Sequence, residues 1–381
     1  MKKALYCGSF DPFTLGHLAV IEKALSQEYG FEKIIICVSV NPDKTPLFTT
    51  EKRVSMIEET LKFHPLNSQI EVTSYNGLIV NLAHKLGVTT LIRGLRTLEG
   101  FSLTTIFDED QLAQTNNRLA LIRGFNLETQ YISIEDDFIN TISSSLVKRL
   151  CSYGEYIDVM KLVPANIHQE LMAIYLKPRF INLFFGSHQS TAHNYWKQLV
   201  ETYKTRSYHN LSHIGYMFNM LDIYKAQNKF SSTEFELAIF GHDYVYNVNA
   251  TDNEEQSANI IINWIGKRFF KTSEYFTNLL LTTKHGNQIA TTDEEKLIAD
   301  LDLSILGTFD EATWKNYCAN IRQEYSSFTD EEYDNGRVDF LKNLLNRERI
   351  FQTDFFYNSF EEQARQNIKR WILALDFYWL C

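Results

Sequence analysis

The feature that most limits how this chain can fold is an alternation of β-rich runs with helical patterns, which occupies only the first half. Five short runs rich in Val, Ile, Thr and Tyr are separated by longer stretches with apolar residues at helical spacing. The runs are KALYC, EKIIICVSV, QIEVTSY, VTTLIRG and TQYISIE. Strands connected by such helices form parallel βαβ units. This half is therefore predicted to be an α/β domain with a Rossmann-like doubly wound parallel sheet.

The pattern changes near Pro178, where the β-branched runs fade. Beyond it, apolar residues recur three and four positions apart, as in HIGYMFNMLDIY, NLLNRERIF and QARQNIKRWILALDFYWL, which predicts helices. A chain of 381 residues also exceeds the roughly 250 to 300 residues that a single core supports. The sequence predicts two domains, an α/β domain over residues 1–177 and an all-α helical domain over residues 178–381.

Charge and composition exclude several classes of partner. The net charge is −10, with 17 basic and 20 acidic residues up to Pro178 and 20 basic and 27 acidic residues after it. Neither half has the basic surface that duplex nucleic acid or an anionic membrane requires. The five cysteines show no paired spacing, and no apolar run approaches the length of a membrane span. We expect a cytoplasmic protein that binds neither nucleic acid nor membrane.

The first predicted strand is followed by the turn GSFDPFTLGH. In doubly wound sheets, ligands bind beyond the carboxyl ends of the strands, and the first strand-to-helix turn commonly binds phosphate. Gly16 would let the backbone at the helix start approach an anion, and His17 would donate to a phosphate oxygen there. An ordinary turn with a capping histidine has the same sequence, so the pattern alone leaves both interpretations open.

Three more polar stretches follow later strands of the same sheet. Lys44 follows the second strand, Arg93 and Arg96 follow the fourth, and Ser143–Ser145 open a helix after the fifth. Singly, Lys44 is equally well explained as a solvated charge, and the serines as a helix N-cap. Because the carboxyl ends of parallel strands meet at one edge, these side chains are predicted to converge into a polyphosphate site.

The motifs GSFDPFTLGH, NPDKTPLFTTEKRV, LIRGLR, ISSSLVK and LVPANIHQEL occur in order over residues 1 to about 175. In this they resemble bacterial-type phosphopantetheine adenylyltransferases, members of the nucleotidylyltransferase superfamily with its T/H-x-G-H turn. The resemblance implies transfer of AMP from ATP to 4′-phosphopantetheine, giving dephospho-coenzyme A and pyrophosphate. It also implies Mg²⁺ bound with ATP and a homo-oligomer.

The same resemblance assigns roles to residues of this chain. Catalysis is assigned to Ser9, where Thr is usual, and to His17, Lys44 and Arg93; Ser9, Lys44 and Arg93 would also bind the phosphopantetheine substrate. ATP binding is assigned to Ser9, Phe10, Gly16, His17, Arg96, Glu109, Ser143, Ser144 and Ser145. After Arg96 the chain runs longer than the family pattern, and the family's adenine-side helix is matched only from Glu109 onward. Because of this departure, the family's adenine contacts and its oligomer packing do not transfer directly to this chain.

The helical half contains a second constellation of polar residues. A pair of histidines four apart precedes the dipeptide His242-Asp243, and Asp300 and Asp302 follow further on. On a helix, His242 and Asp243 are about 100° apart and can both reach one metal, whereas Asp300 and Asp302 are about 200° apart and only one can point inward. His and Asp ligands without thiolates suit Mn, Mg, Fe or Co as well as Zn. Alternatively, these are unrelated core or surface residues.

The motifs RSYHNLSHI, GHDYVYN, DNEEQSA, TKHG, ADLDLSILG, IRQEY and EEQARQN, within residues 206 to 375, resemble a family of predicted HD-superfamily metal-dependent phosphohydrolases. The resemblance implies a divalent metal held by four ligands, with two more histidines as supporting residues or ligands of a second metal. Acid/base candidates and phosphate contacts complete the implied site. The ligands are His213, His242, Asp243 and Asp302; the supporting histidines are His209 and His285; the acid/base candidates are Glu254 and Glu255; the phosphate contacts are Arg206 and Lys284.

Together these features predict a bifunctional enzyme, an adenylyltransferase of coenzyme A biosynthesis joined to a phosphohydrolase of unknown substrate. Three alternatives remain open. The helical half would be a metal- or nucleotide-binding regulatory module without turnover, the first half would adenylylate a different phosphate, or the first half would be a non-catalytic scaffold.

Overall fold

The computed structural model describes residues 2–40, 45–95, 103–184, 189–230, 232–265, 273–285 and 290–378. The chain divides into two compact units, which are described separately below. One unit comprises Met1–Tyr153 with Asp158–His168, and the other comprises Gly154–Ile157 with Gln169–Cys381. The boundary between residues 177 and 178 stays a prediction.

The first unit contains a sheet of five parallel strands in the order β3-β2-β1-β4-β5. This confirms the predicted Rossmann-like doubly wound sheet, and each predicted run lies on one of its strands. The strands are β1 (Lys3–Gly8), β2 (Lys33–Ser39), β3 (Ile70–Tyr75), β4 (Thr90–Leu95) and β5 (Glu128–Ser133).

Helices connect these strands and continue the chain beyond β5. They are α1 (Leu15–Leu25), α2 (Thr50–Leu61), α3 (Ile79–Leu86), α4 (Leu103–Ile122), α5 (Asp137–Thr141), α6 (Ser144–Tyr153), α7 (Tyr156–Met160) and α8 (Ala165–Tyr175). Leu5, Ile35 and Leu91 of the strands form one buried cluster with Val80 and Ala83 of α3. The β-branched and aliphatic runs thus fix the sheet, and the polar residues that follow each strand are left at its edge.

The order of the strands determines where a ligand can enter. The chain leaves β1 toward β2 on one side, while β4 pairs with β1 on the other side. At such a reversal the connecting segments diverge, and a crevice opens beyond the carboxyl ends of the strands. The turn after β1 and the residues at the end of β4 lie at this crevice.

The second unit is helical, as predicted. Its helices are α9 (Lys177–Asn182), α10 (Gln189–Tyr203), α11 (Leu211–Gln227), α12 (Thr233–Gly241), α13 (Asn253–Ile265), α14 (Ser273–Thr282), α15 (Asp293–Leu303), α16 (Glu311–Glu324), α17 (Asp330–Leu345) and α18 (Asp354–Tyr378). A short 3-10 helix, Ser304–Gly307, follows α15. None of the helices that the structure describes is long and apolar enough to cross a membrane.

One predicted helical stretch, NLLNRERIF, is helical only at its start. Helix α17 ends at Leu345, because side chains of α18 bind the backbone groups that a longer helix would use. Arg365 Nη1 donates to the Leu345 carbonyl oxygen over 2.9 Å. The backbone N–H groups of Ile350 and Phe351 both donate to the Glu361 carboxylate. Apolar spacing alone could not reveal this competition.

Candidate functional sites

A cavity of about 340 Å³ lies at the crevice of the parallel sheet. It brings together every predicted site residue of this half whose side chain the structure describes. Lys44 and Arg96 lie outside the described residues, and Glu109 is described only by its place in α4. The predicted residues that line the cavity are Ser9, Phe10, Gly16, His17, Arg93, Ser143, Ser144 and Ser145.

His17 is the N3 residue of helix α1, in its first turn, and lines this cavity. The backbone N–H of Thr14 donates to His17 Nδ1 over 3.0 Å, and the backbone N–H of His17 points back to Thr14 Oγ1 at 3.4 Å, which forms a capping box. Because the Thr14 N–H can only donate, Nδ1 is an acceptor and the proton of the neutral ring is on Nε2. The capping interaction therefore fixes a tautomer with a donor on the other ring nitrogen.

Aromatic rings hold the His17 imidazole in place. Phe13 stacks on it with ring centroids 5.5 Å apart, and Phe10 meets it edge-on at 5.1 Å. Phe10 is 2% exposed and has a φ of 46°, a left-handed conformation that is rare for a bulky residue. Strained backbone of this kind often accompanies functional sites. The Phe10 ring thus shapes the wall behind His17.

Glycines allow close packing around α1. A Cβ on Gly16 would lie 3.2 Å from the Ile142 carbonyl oxygen, and a Cβ on Gly94 would lie 2.8 Å from Val20 Cγ2. The space at Gly16 is thus taken up by the chain between α5 and α6. Its predicted contact with an anion stays a prediction.

The three serines after β5 have different roles in the structure. Ser143 Oγ accepts from the backbone N–H of Leu146 over 3.1 Å, which is the N-cap interaction expected as an alternative. Ser144 Oγ donates to the Pro12 carbonyl oxygen over 2.8 Å and so ties α6 to the first turn. Ser145 is exposed and lines the cavity at the first turn of α6. A helix N-terminus with exposed hydroxyls is suited to binding phosphate.

Sequence reasoning missed Asp11, which fastens the first turn to the chain after β2. This carboxylate is buried and accepts from the backbone N–H groups of Leu47 over 2.8 Å and Phe48 over 3.0 Å. Lys148 Nζ of α6 lies 3.2 Å from Asp11 Oδ2, the oxygen that also accepts from Leu47. Asp11 therefore connects three segments that surround the cavity.

Arg53 is the second residue that sequence reasoning missed. It is 3% exposed on α2. Its Nη1 donates to the carbonyl oxygens of Ser9 over 2.5 Å and Ser39 over 3.5 Å, at the ends of β1 and β2. Both missed residues act on backbone atoms, and the only signal for them was their position inside the quoted motifs.

The thiol of Cys7 also lines the cavity. Its register partner on β2 is Cys37. A hydrogen bond with Cys37 and burial raise the pKa of Cys7 well above its usual value, despite the nearby charge of Arg93. Cys7 is therefore a neutral thiol near pH 7 and a poor nucleophile.

A second cavity, of about 490 Å³, lies in the helical unit. Its walls are rich in tyrosine, with Tyr208, Tyr246, Tyr317, Tyr325 and Tyr333 among them. The predicted residues that line it are His209, Asp243, Glu254, Lys284, His285 and Asp302. The side chains of His213 and His242 are 1% and 0% exposed and lie against Asp243 and Asp302.

The side chains of the four predicted ligands converge. The Nε2 atoms of His213 and His242 lie 3.3 Å apart. Asp302 Oδ1 lies 2.9 Å from the first and 3.6 Å from the second, and Asp243 Oδ2 lies 3.9 Å and 2.9 Å from them. Neighbouring ligands of an octahedral ion bound at about 2.1 Å are about 3.0 Å apart. These spacings fit a divalent metal.

Hydrogen bonding leaves the same atoms available to a metal. His242 Nδ1 lies 2.9 Å from the Ile239 carbonyl oxygen, to which it must donate, so in the neutral ring Nε2 carries the lone pair. With His242 neutral, the buried Asp243 Oδ2 has no hydrogen-bond donor among the described residues, although His242 Nε2 lies 2.9 Å away. A buried carboxylate oxygen without a partner is costly. A cation among these ligands would remove that cost.

Charges in the cluster compensate each other. Burial alone would raise the pKa of Asp302, but hydrogen bonds from His213, His242 and His285 hold it well below its usual range. Burial would likewise lower the pKa of His242, but Asp243 and Asp302 raise it well above its usual value. Burial lowers the pKa of His213. The carboxylates are therefore ionised at neutral pH.

The four predicted ligands come from two helices and the C-terminal end of a third. His213 lies on α11 and Asp302 on α15, while His242 is the C-cap of α12 and Asp243 follows it. His209 and His213 are four apart but do not share a helix, because Asn210 is the N-cap of α11 and His209 precedes it. The two imidazole rings are nevertheless 5.8 Å apart.

The two further histidines are each bound to a carboxylate. His285 Nε2 lies 2.6 Å from Asp302 Oδ2, and His209 Nδ1 lies 2.6 Å from Glu324 Oε2. Glu324 was quoted only within the IRQEY motif and was not singled out. These contacts fit a supporting role for both histidines.

Asp300 and Asp302 point to different parts of the unit, as their spacing predicted. Asp300 is 0% exposed and accepts from the backbone N–H groups of Gln352 and Thr353, each over 2.7 Å. Burial raises its pKa to about 6. Of the two, only Asp302 lies beside His213, His242 and Asp243, with which it forms what we call the metal-type cluster.

Of the two acid/base candidates, Glu254 lines the cavity, and burial raises its pKa. Glu255 forms an ion pair with Lys284 at 3.0 Å. Arg206 donates to the carbonyl oxygens of Asp243 and Tyr244. Arg206 therefore fixes the backbone at the predicted ligand Asp243. The prediction that Arg206 contacts phosphate is not supported by this geometry.

Comparisons with known proteins concern the first half of the chain. The Cytidylyltransferase-like family model matches residues 5–150. Phosphopantetheine adenylyltransferase of Picosynechococcus sp. is 38% identical over 172 residues, 45% of this chain and 86% of that protein. The enzyme of the same name from Lachnoclostridium phytofermentans is 40% identical over 44% of this chain and 93% of that protein.

A solved structure was also found. It is Plasmodium falciparum nicotinic acid mononucleotide adenylyltransferase complexed with NaAD, which is 17% identical, covers 46% of this chain and 97% of that chain, and has a TM-score of 0.35. A TM-score this low supports no conclusion about this chain.

Proposed function

We propose that this chain, whose N-terminal half belongs to the phosphopantetheine adenylyltransferase family, transfers the adenylyl group of ATP to 4′-phosphopantetheine. The observation that carries the proposal is the convergence of His17, Arg93 and the N-terminus of α6 on one cavity at the reversal of the strand order. Each of these groups stabilises negative charge.

The reaction needs alignment more than acid/base chemistry. The attacking atom is a phosphate oxygen that is already ionised, and negative charge spreads over the α-phosphate and the leaving pyrophosphate. His17 Nε2–H and the Arg93 guanidinium would donate to those oxygens. None of the described residues that line the cavity is an Asp or Glu. Mg²⁺ would therefore be bound chiefly through the phosphates of ATP.

The test is pyrophosphate release with ATP, magnesium and 4′-phosphopantetheine. We expect release that depends on 4′-phosphopantetheine and that His17→Ala lowers sharply. His64→Ala is the matched control, because His64 is bound to Glu22 rather than to the cavity. Full activity of His17→Ala would contradict the assignment, and release with another phosphate acceptor only would show that the substrate has changed.

We further propose that the helical half is a metal-dependent phosphohydrolase of the HD type. Its carrying observation is the convergence of the His213, His242, Asp243 and Asp302 side chains, in which the ring nitrogens lie 2.9 to 3.9 Å from the carboxylate oxygens. These four residues would hold a divalent ion, Mn, Mg, Fe, Co or Zn. When bound, such an ion lowers the pKa of a water toward neutrality. Glu254, whose raised pKa favours holding a proton, would take up the proton released there.

Metal content and hydrolysis test this second proposal together. We expect the purified full chain to retain a divalent metal and to hydrolyse a generic phosphoester such as p-nitrophenyl phosphate, and Asp302→Ala to lose both. Asp293→Ala, on the same helix and at a side chain that is 101% exposed, is the matched control. Bound metal without hydrolysis of any phosphoester tested would favour the regulatory alternative instead.

A further inference from the structure

Arg337 on α17 is a charged residue of the helical cavity that faces no carboxylate among the described residues. Its Nη2 donates to Tyr317 Oη over 2.5 Å. Its Nε is shielded from solvent and has no hydrogen-bond partner in the described part of the chain. A guanidinium stays charged at any pH that a folded protein meets. A shielded cation of this kind is costly unless an anion neutralises it.

Aromatic rings fix the direction of this guanidinium. The Arg337 Cζ lies 4.5 Å from the ring centroid of Trp371, 5.0 Å from that of Phe340 and 5.7 Å from that of Tyr317. Stacking on ring faces leaves the N–H edge of a guanidinium for hydrogen bonding. The edge is therefore held in one orientation before any ligand binds.

Tyr333 provides a second unsatisfied donor one helical turn earlier. It is 5% exposed and lines the same cavity, and its buried Oη has no hydrogen-bond partner among the described residues. Residues four apart on a helix lie on the same face. Tyr333 and Arg337 thus present a hydroxyl and a guanidinium edge from one face of α17.

The neighbouring carboxylate does not satisfy this pair. Glu332 lines the cavity, but its Oε2 accepts from the backbone N–H and the hydroxyl of Thr329, each over 2.9 Å. It is the N3 residue of the capping box that begins α17. Glu332 is thereby held at the helix start, and the charge of Arg337 remains uncompensated.

The same cavity also contains the metal-type cluster. Two rings separate Arg337 from that cluster: Tyr317 lies 4.8 Å from Tyr208, and Tyr208 lies 4.9 Å from His213, measured between ring centroids. A volume of about 490 Å³ accommodates an organic molecule, far more than a single phosphate. The wall between the two polar regions is largely aromatic and aliphatic.

We propose that Tyr333 and Arg337 bind a second anionic group of the substrate whose phosphoester lies at His213, His242, Asp243 and Asp302. The substrate class is an organic phosphate that carries another phosphoryl or carboxylate group across an apolar or aromatic spacer. This inference rests on the proposed hydrolase function of the same cavity. Arg337 is then a specificity-determining residue.

Calorimetric binding of non-hydrolysable probes to the metal-loaded full chain tests this inference. The probes are alkylphosphonates of two to eight carbons, the matching ω-phosphonoalkanoates and the matching α,ω-diphosphonates, so that spacing is scanned. At the best length, a second anionic group is expected to tighten binding at least about tenfold, as for a charge-assisted contact. The ω-phosphonoalkanoates and the α,ω-diphosphonates, which carry two anionic groups, distinguish carboxylate from phosphoryl recognition. The adenylyltransferase cavity is unchanged in all variants and contributes equally to each titration.

Three variants assign the gain to the proposed residues. Arg337→Gln is expected to abolish the gain, and Tyr333→Phe, which removes one oxygen and preserves packing, to reduce it several-fold. Arg322→Gln is the control, because Arg322 also stacks on Tyr333, at 4.9 Å, but is paired with Asp330. No gain at any length, or a gain that survives Arg337→Gln and Tyr333→Phe, overturns the inference.

The alkylphosphonates, which carry a single anionic group, report on the hydrolase proposal separately. Their affinity is expected to fall in Asp302→Ala because that variant lacks the metal. Undiminished affinity in Asp302→Ala would overturn the metal site. An Arg337-dependent gain in that variant would still support an anion site at Tyr333 and Arg337.

Discussion

The two cavities of this chain differ in the kinds of group that line them. The cavity of the sheet is built from a strand-to-helix turn, two helix starts and cationic or hydroxyl side chains, and none of its described lining residues is acidic. The cavity of the helical unit places two carboxylates between buried imidazoles. Under the proposed functions, the first would provide donors to an anion that brings its own metal, and the second would provide ligands to a metal.

This difference explains what holds each site in place. The first site depends on backbone geometry, so its supporting residues, Asp11 and Arg53, bind main-chain atoms. The second depends on side chains from separate helices, so it also uses contacts between side chains, as between His285 and Asp302, in addition to the main-chain contacts of Arg206. Variants that remove only a contact to main-chain atoms, or only a contact between side chains, test this comparison most clearly.

The largest expected effect is in the helical site. Asp243→Ala should lower phosphohydrolase kcat/KM by at least about a thousandfold, because the water would lose the acidification that a bound metal supplies. Adenylyl transfer, measured as pyrophosphate release by the same preparation, should change less than about twofold, since that site makes no use of the carboxylate. Parallel loss of both activities would contradict the independence of the two sites.

A smaller effect is expected from Arg53→Met. Without this guanidinium the Ser9 carbonyl loses a buried donor, and the turn that carries Ser9 and Phe10 shifts. Misplacement of aligned groups by about 1 Å costs up to a hundredfold in rate, so we expect transfer to fall about ten- to a hundredfold. Metal content and hydrolysis should be unchanged. Steady-state kinetics of Arg53→Met beside Lys62→Met, at the exposed C-cap of α2, checks this.

Gly94→Ala should affect the stability of the sheet unit. The added Cβ would lie 2.8 Å from Val20 Cγ2, and α1 would have to move away from β4. Overpacking of this kind costs about 1–3 kcal/mol. Urea unfolding followed by circular dichroism should show a lower midpoint for the first unit only. Gly336→Ala, where a Cβ would meet nothing within 4 Å, is the control.

The smallest effect concerns an ion-pair network of the helical unit. Burial alone would raise the pKa of Glu236, but ion pairs with Arg179 and Lys225 outweigh it and hold the pKa below its usual value. The ionised form is thus favoured by folding, and its stabilisation is complete above the usual pKa and lost as the pH falls through the lowered one. At pH 7, Glu236→Gln should cost about 1–2 kcal/mol.

The pH dependence distinguishes this network from simple packing. The difference in unfolding free energy between the native protein and Glu236→Gln should shrink below about pH 4, where the carboxylate becomes protonated. Thermal unfolding across pH 3 to 7 measures it. A difference that is independent of pH would show that the charge of Glu236 is not what stabilises α12.

Much of the architecture was predictable because hydrophobic patterning determines it. The strand runs and the position of His17 follow from local sequence, and the convergence of Arg93 with Ser143–Ser145 follows from parallel topology. Four of the metal-type residues could be named from HD-type spacing. Lys44 and Arg96 stay predictions, since they lie outside the described residues.

Other residues left no comparable signal. Arg53 acts on the carbonyl oxygens of two strands, a relation that depends on tertiary packing and not on spacing. Tyr333 and Arg337 look like an ordinary helical i, i+4 pair in sequence, and only the lack of a described hydrogen-bond partner at Tyr333 Oη and Arg337 Nε distinguishes them. Where NLLNRERIF leaves its helix, the cause is Arg365, twenty residues beyond Leu345.

The double use of His17 limits how this position can vary. The usual residue at N3 of a capping box is Glu or Gln. Glu would begin α1 equally well but would place a negative charge against a polyphosphate. Ala would remove the donor and the cap together, so an activity assay alone cannot separate the two losses. Gln has the length of a usual N3 residue, can accept the Thr14 N–H and retains an N–H donor, so a saturation library should tolerate Gln best at this position.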